Sequence, residues 1–170
     1  MLIRLENEQD FAAIYSFTKE AFKTAKVKDG NEQDFVERLR KSEDYLPSLA
    51  FVAEENNEII GHVMLTKVRI KGENQIFEEL ILAPLTVRLD QRNKGLGSQL
   101  MNKAEQAAIS QGYQAIVLIG DPQYYGRFGY TRAEQFGIVS DSGIPSDYLL
   151  IKKIGQTELA NIAGTVSIPE

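Results

Sequence analysis

The sequence predicts a mixed α/β domain of the α+β type, one sheet with helices packed against it. Three observations carry this expectation. Helical and strand-like hydrophobic periods alternate along the chain, with no repeat, low-complexity tract or linker between them. Two β-rich runs follow one another across a tight asparagine turn, as antiparallel neighbours do. The 170 residues, 43% hydrophobic and 25% charged, suit one domain over residues 1–170 with a core that needs no staples.

The elements follow in order. Met1–Leu5 reads as a short strand. Asn7 is placed to N-cap a helix with an acidic first turn, in which Phe11, Ile14, Tyr15, Thr18 and Phe22 recur at helical spacing. The polar stretch Thr24–Gly30 is expected to be a mobile loop, and a second helix from about Asn31 to Lys41 to turn Phe35, Val36 and Leu39 inward. Leu49–Glu54 and Glu58–Ile70 read as strands joined at Asn56-Asn57, because asparagine tolerates positive φ. Gly61 marks an expected bulge. Phe77–Arg88 is the third strand of this meander. Its nearly all-apolar centre, Leu80–Leu85, is expected to be covered on both faces. Pro84 has no ladder donor, so the strand is expected to be irregular or unpaired there.

Leu96, Leu100, Ala104 and Ala108, spaced by four, form the buried stripe of a helix reaching about Gln111, with Gly112 suited to end it. Ala115–Ile119 is a short buried strand. Asp121-Pro122 pairs an N-cap with a proline at the first helical position, and the short helix it starts stops near Gly129. Tyr148–Ile154 is the final strand. Thr131–Asp147 and the tail after Gly155 carry no readable period.

Composition excludes several chemistries. There is no cysteine, so neither a disulfide framework nor a thiolate nucleophile is available. His62, the one histidine, cannot build a Cys/His zinc site, and no G-x-S-x-G elbow accompanies it, so no metal is expected. A net charge of -5 argues against nucleic acid as a partner. No run approaches a membrane span, and the N-terminus turns acidic too early for a signal peptide, so a cytoplasmic location is expected.

Two segments carry chemistry. In Arg92-Asn93-Lys94-Gly95-Leu96-Gly97, between a strand and a helix, two glycines let backbone N–H groups converge. The helix start adds unpaired N–H groups and its positive dipole end, and Arg92 and Lys94 add charge. This is an anion cradle sized for a pyrophosphate. The spacing fits neither a Walker loop nor a dinucleotide fingerprint, and a nucleotide binder stays open at this point. The second segment, Gly120-Asp121-Pro122-Gln123-Tyr124-Tyr125-Gly126-Arg127-Phe128-Gly129-Tyr130, is rich in aromatics. Phe128 and Tyr130 are expected to pack in the core. Two adjacent tyrosines cannot face the same way, so one is expected nearer solvent or a ligand, where a phenol can donate a proton to a leaving thiolate.

With these segments in hand, the chain resembles the GNAT superfamily of N-acetyltransferases, in its small YhbS-like bacterial branch. The resemblance runs from Ile3-Arg4-Leu5 through Val52–Glu55, Ile60–Val63 and Pro84–Val87. It is sharpest where Arg92–Gly97 matches the R/Q-x-x-G-x-G/A signature, Tyr125–Tyr130 matches Y-x-x-x-G-F/Y, and Gly120–Tyr130 matches the longer G-D-P-x-Y-Y-x-R-F-G-Y string.

The resemblance implies a mixed, mostly antiparallel sheet, splayed between the strands ending near Val87 and near Ile119. It implies acetyl-coenzyme A as cosubstrate, its pantetheine arm against Leu85, Thr86 and Val87 and its pyrophosphate on Arg92, Asn93, Lys94, Gly95, Leu96, Gly97 and Ser98, with Asp121 and Tyr125 also at the coenzyme. An amine attacks the thioester directly, and Tyr125, by its spacing to Gly129, is the implied general acid. The Glu that many members use as base falls at Ile81 here. Glu79, two residues away, is the substitute candidate, set against a reading as an exposed strand-start carboxylate. The Asn that many relatives place before the tyrosine falls at Val117 or Leu118. The acceptor, a small-molecule or peptide amine, is unreadable; the family raises a homodimer, and the missing base leaves open a coenzyme-binding sensor without transfer activity.

Overall fold

The computed structural model describes residues 1–25 and 30–169, so the expected Thr24–Gly30 loop falls largely outside the described residues. In chain order the elements are β1 (Leu2–Leu5), α1 (Phe11–Phe22), α2 (Glu32–Lys41), β2 (Tyr45–Glu55), β3 (Glu58–Lys71), β4 (Ile76–Val87), α3 (Leu96–Ser110), β5 (Ala115–Ile119), α4 (Pro122–Tyr125), β6 (Thr131–Arg132), β7 (Ile138–Ser140), β8 (Leu149–Lys153) and β9 (Gly164–Val166), with short 3-10 turns between some of them. The strands form a nine-stranded sheet ordered β1-β2-β3-β4-β5-β8-β6, with β9 joined to β3 and β7. The sheet is mixed and mostly antiparallel. The parallel pairs are β7 with β9 and β4 with β5, the latter through Leu80↔Ile116 and Ile81↔Val117. No helix among the described residues is long and apolar enough to cross a membrane.

Contacts gather the chain into two compact units, residues 1–66 with 82–108, and residues 67–81 with 109–170. In the first, Asn7 closes a capping box with Asp10, whose carboxylate accepts the Asn7 N–H at 2.8 Å, and a 3-10 turn leads into α1. Arg4 locks the opening of the chain by donating to both oxygens of Asp10 and to Glu54. Asn56 and Asn57 both take positive φ, 52° and 62°, closing the β2–β3 hairpin as expected. The expected bulge lies beside Gly61, where the register steps from Ala53↔Gly61 to Glu54↔Ile59. Leu96, Leu100, Ala104 and Ala108 of α3 are all buried. On α2, Val36 and Leu39 pack with Ala50 and Met64, and Phe35 and Ala83 close the cluster. β4 continues through Pro84, which follows a cis peptide bond, as far as Val87.

The second unit has its own core, in which Ile81, Val117, Ile151, Ile138, Leu159, Ile162 and Val166 interlock. The segments without a readable period supply much of this core. β6, β7 and β9 are two to three residues long, shorter than any hydrophobic period can register. Gly120 N–H bonds the Tyr148 carbonyl at 3.0 Å and so fixes the exit from β5.

Candidate active site

In the first unit, β4 ends at Val87 and the chain turns through a 3-10 segment, Leu89–Gln91, into the glycine-bearing turn before α3. Asn93 and Gly95 adopt left-handed φ values of 62° and 82°. Glycine adopts this conformation without a Cβ penalty, and asparagine is the residue that next best tolerates it. The Gly95 carbonyl accepts the Gln99 N–H at 3.1 Å, the first bond of α3. The N–H groups of the first helical turn therefore have no intrahelical partner and carry the positive end of a 15-residue helix. Asn93, Lys94, Gly95 and Ser98 are exposed, Leu96 is buried, and Gly97 is half-buried.

Arg92 differs from the sequence expectation of a guanidinium held ready for an anion. Three of its donors go to protein oxygens: Nε to the Val87 carbonyl at 3.1 Å, Nη1 to Thr24 Oγ1 at 2.7 Å and Nη2 to the Ala21 carbonyl at 3.0 Å. Val87 thus accepts from Arg92 through its carbonyl, the Thr86 hydroxyl is buried with no partner among the described residues, and Leu85 is half-buried.

In the second unit, Asp121 caps α4, its Oδ1 accepting the Gln123 N–H at 3.0 Å, and Pro122 opens the helix as expected. Its backbone carbonyl accepts the N–H groups of Tyr124 and Tyr125 at 3.1 and 3.0 Å. The Tyr125 ring lies over Gly120 so closely that a Cβ there would stand 2.5 Å from Cε2. Tyr125 also meets the edges of Tyr124 and Tyr130, with centroids 4.9 and 6.1 Å away. Burial, then the neighbouring Tyr124 and Asp121, push its phenol well above the ordinary tyrosine value. The residue retains part of its surface even so. A phenol held in this way is a proton donor throughout the physiological range. Tyr124 packs edge-on against Phe128 and under the Arg127 guanidinium, 4.6 Å from its centroid. Tyr130 is buried, but Phe128 keeps partial exposure, short of the core position expected for it.

Glu79 is not the exposed carboxylate considered as one reading, for it is 5% exposed. Its Oε1 accepts the N–H groups of Gln114 and Ala115 at 2.8 and 3.3 Å, tying β4 to the start of β5. Burial raises its pKa against the opposing pull of those amides.

Sequence reasoning missed a buried ionic cluster in the first unit. The Glu6 carboxylate receives Arg40 Nε and Nη2 at 3.1 Å each and the Tyr45 hydroxyl at 2.6 Å, and lies 2.8 Å from His62 Nε2. Glu6 and His62 side chains are fully buried and that of Arg40 nearly so. The Arg40 guanidinium also lies 4.0 Å from the centroid of Phe11. Burial pushes the Glu6 carboxyl up, but the hydrogen bonds from His62, Arg40 and Tyr45 outweigh it and hold the pKa at about 2. With Glu6 ionised, His62 Nε2 carries the proton toward it, and Nδ1 is buried with no partner among the described residues. No sequence signal marks this set, since its members lie 34, 39 and 56 residues from Glu6.

A glycine-bearing turn at the start of the 15-residue α3, and a phenol on a short helix after a buried strand, are the two segments whose motifs the sequence links to acyl transfer. Comparison with known proteins gives the family. A family model described as an acetyltransferase (GNAT) domain matches residues 2–133. The uncharacterized N-acetyltransferase YhbS of Escherichia coli K12 is 33% identical over 134 residues, covering 78% of this chain and 75% of that protein. The crystal structure of E. coli YhbS in complex with CoA superposes with a TM-score of 0.86 at 26% identity, covering 99% of this chain and 89% of the other. A GNAT acetyltransferase from Brucella melitensis in complex with acetyl-CoA gives 0.77, also at 26% identity, covering 99% and 95%. The chain belongs to the GNAT family of acetyltransferases. It is an N-acetyltransferase of that family, as the paired motifs predict.

Proposed function

We propose that the chain carries an acetyl group from acetyl-CoA to an amine by direct attack, with the Asn93–Ser98 main chain holding the pyrophosphate and Tyr125 acting as general acid. The observation that carries this reading is Tyr125 itself, pinned through its N–H to Asp121, laid against Gly120, and held protonated by its surroundings. Coenzyme complexes of the E. coli and B. melitensis relatives support it.

In the reaction the neutral amine nitrogen bonds to the thioester carbon, and the oxyanion that forms is stabilised by backbone N–H groups at the end of β4, near Leu85–Val87. The C–S bond breaks, and the departing thiolate takes the Tyr125 proton. The phenolate regains a proton from the nitrogen through solvent, leaving an amide and free CoA thiol. Glu79 enters this reading as a support that ties β5 to β4, because Oε1 already serves two backbone amides. Asp121 acts through its cap on α4. The acceptor is an amine of a small molecule or a peptide, and the reading puts the protein in the cytoplasm, with a homodimer as the assembly to look for.

The test follows thiol release from acetyl-CoA across a panel of amines. Tyr125→Phe is expected to lower kcat by about 10²–10⁴-fold while leaving CoA affinity intact. Undiminished turnover would remove Tyr125 from the mechanism.

A further inference from the structure

Arg92 opens the coenzyme turn, yet its side chain reaches away from it. One guanidinium binds the last carbonyl of β4, the Ala21 carbonyl in the last turn of α1, and the Thr24 hydroxyl just beyond that helix. Thr24 Oγ1 in turn donates to the Ala21 carbonyl at 3.3 Å. A cation at this point complements the negative end of α1 and adds a charged donor to a carbonyl that also accepts the Thr24 hydroxyl. Three donors in the rigid fork of one planar group fix directions that a flexible ammonium would not.

We propose that Arg92 is a positioning residue that couples the coenzyme turn to the C-terminal end of α1, and that its side chain is not a ligand of the coenzyme phosphates. The inference rests on the reading of Asn93–Ser98 as the pyrophosphate site. When the coenzyme orders that turn, Arg92 is held at its base and the end of α1 is ordered with it. By thermodynamic reciprocity, loosening the end of α1 weakens coenzyme binding. A residue contacting phosphate directly would behave differently, because its removal would diminish the salt dependence of binding and nothing at α1 would matter.

The test is hydrogen exchange with mass spectrometry on the full chain, with and without CoA, together with CoA titrations at several salt concentrations. In the native chain CoA is expected to slow exchange both at Asn93–Gln99 and at Ala21–Ala25. In Arg92→Ala at saturating CoA, protection remains at Asn93–Gln99 and disappears at Ala21–Ala25. Affinity falls by about tenfold, as for the loss of hydrogen bonds to a charged group, while its salt dependence is kept. Thr24→Val removes one contact, leaves the cation in place, and keeps the test open should the alanine variant fold poorly. It is expected to weaken CoA by a few-fold. Loss of the salt dependence in Arg92→Ala, or unchanged affinity in Thr24→Val, overturns the coupling. Protection at Asn93–Gln99 without any at Ala21–Ala25 in the native chain overturns it too and leaves the coenzyme reading standing. Absence of protection at Asn93–Gln99 removes both.

Discussion

Replacing Glu6 with glutamine keeps the shape of the side chain and deletes the charge at the centre of the buried cluster. Arg40 then keeps Glu37 at 2.9 Å and the Phe11 face, but loses the buried carboxylate that received two of its donors. Breaking a buried pair from one side costs about 3–5 kcal/mol, which for a chain of this length lowers Tm by about 6–20 °C. A second estimate comes from the carboxyl's own titration. Its fall from 4.5 to about 2 on folding corresponds to about 3 kcal/mol of stability. The folded value lies below the unfolded one, so this contribution is complete above about pH 4.5 and is lost as the pH falls towards 2. Near pH 3.5 the native chain has given up about 1 kcal/mol of it, whereas Glu6→Gln has none to lose. Urea unfolding of both chains at pH 7 and pH 3.5 therefore gives a stability gap that narrows by about 1 kcal/mol on acidification. A gap of the same size at both pH values would refute the assignment of this stability to the Glu6 charge.

Three further outcomes are expected. Gly120→Ala places a Cβ 2.5 Å from Tyr125 Cε2, so it should displace the ring and reduce kcat towards that of Tyr125→Phe, with the far-ultraviolet circular dichroism spectrum and CoA affinity unchanged. Because the Tyr125 phenol is held above the ordinary value near 10, the kcat–pH profile should show no falling limb from this group below about pH 10. A limb near pH 8 or 9 that vanishes in Tyr125→Phe would contradict this. Glu79→Leu leaves the Gln114 and Ala115 amides without their acceptor, at about 1–3 kcal/mol each, whereas Glu79→Gln keeps an acceptor oxygen and should retain turnover. Loss of turnover in Glu79→Gln with Tm unchanged would instead make Glu79 the proton acceptor.

Elements with a strong local code were legible in the sequence. The Asn56-Asn57 turn, the α3 stripe, the Asp121-Pro122 helix start and the Ala115–Ile119 strand stand where the spacing puts them, because each is set by residues within one or two turns of chain. The glycine turn and the tyrosine helix were readable for the same reason. Glu6, Arg40, Tyr45 and His62 were not, since they meet through tertiary packing across 56 residues and none of them breaks its local pattern. Arg92 was read for its charge, and two of the three groups that take up its donors sit 68 and 71 residues earlier in the chain. The exposed reading of Glu79 fails because its carboxylate accepts the amides of Gln114, in the loop after α3, and of Ala115, the first residue of β5, neither of which its local sequence announces.

The little strand β9 pairs antiparallel with β3 at Ile70↔Val166 and parallel with β7 at Ile138↔Gly164. Leu159, Ile162 and Val166 complete the second unit's interior. During synthesis, that half of the molecule stays unfinished until residues near position 166 have left the ribosome, while every residue of the first half has emerged by position 108. A nonsense mutation even a dozen codons before Val166 would therefore release a chain with a complete first unit and an unfinished second one, a product that cellular proteases are well placed to remove.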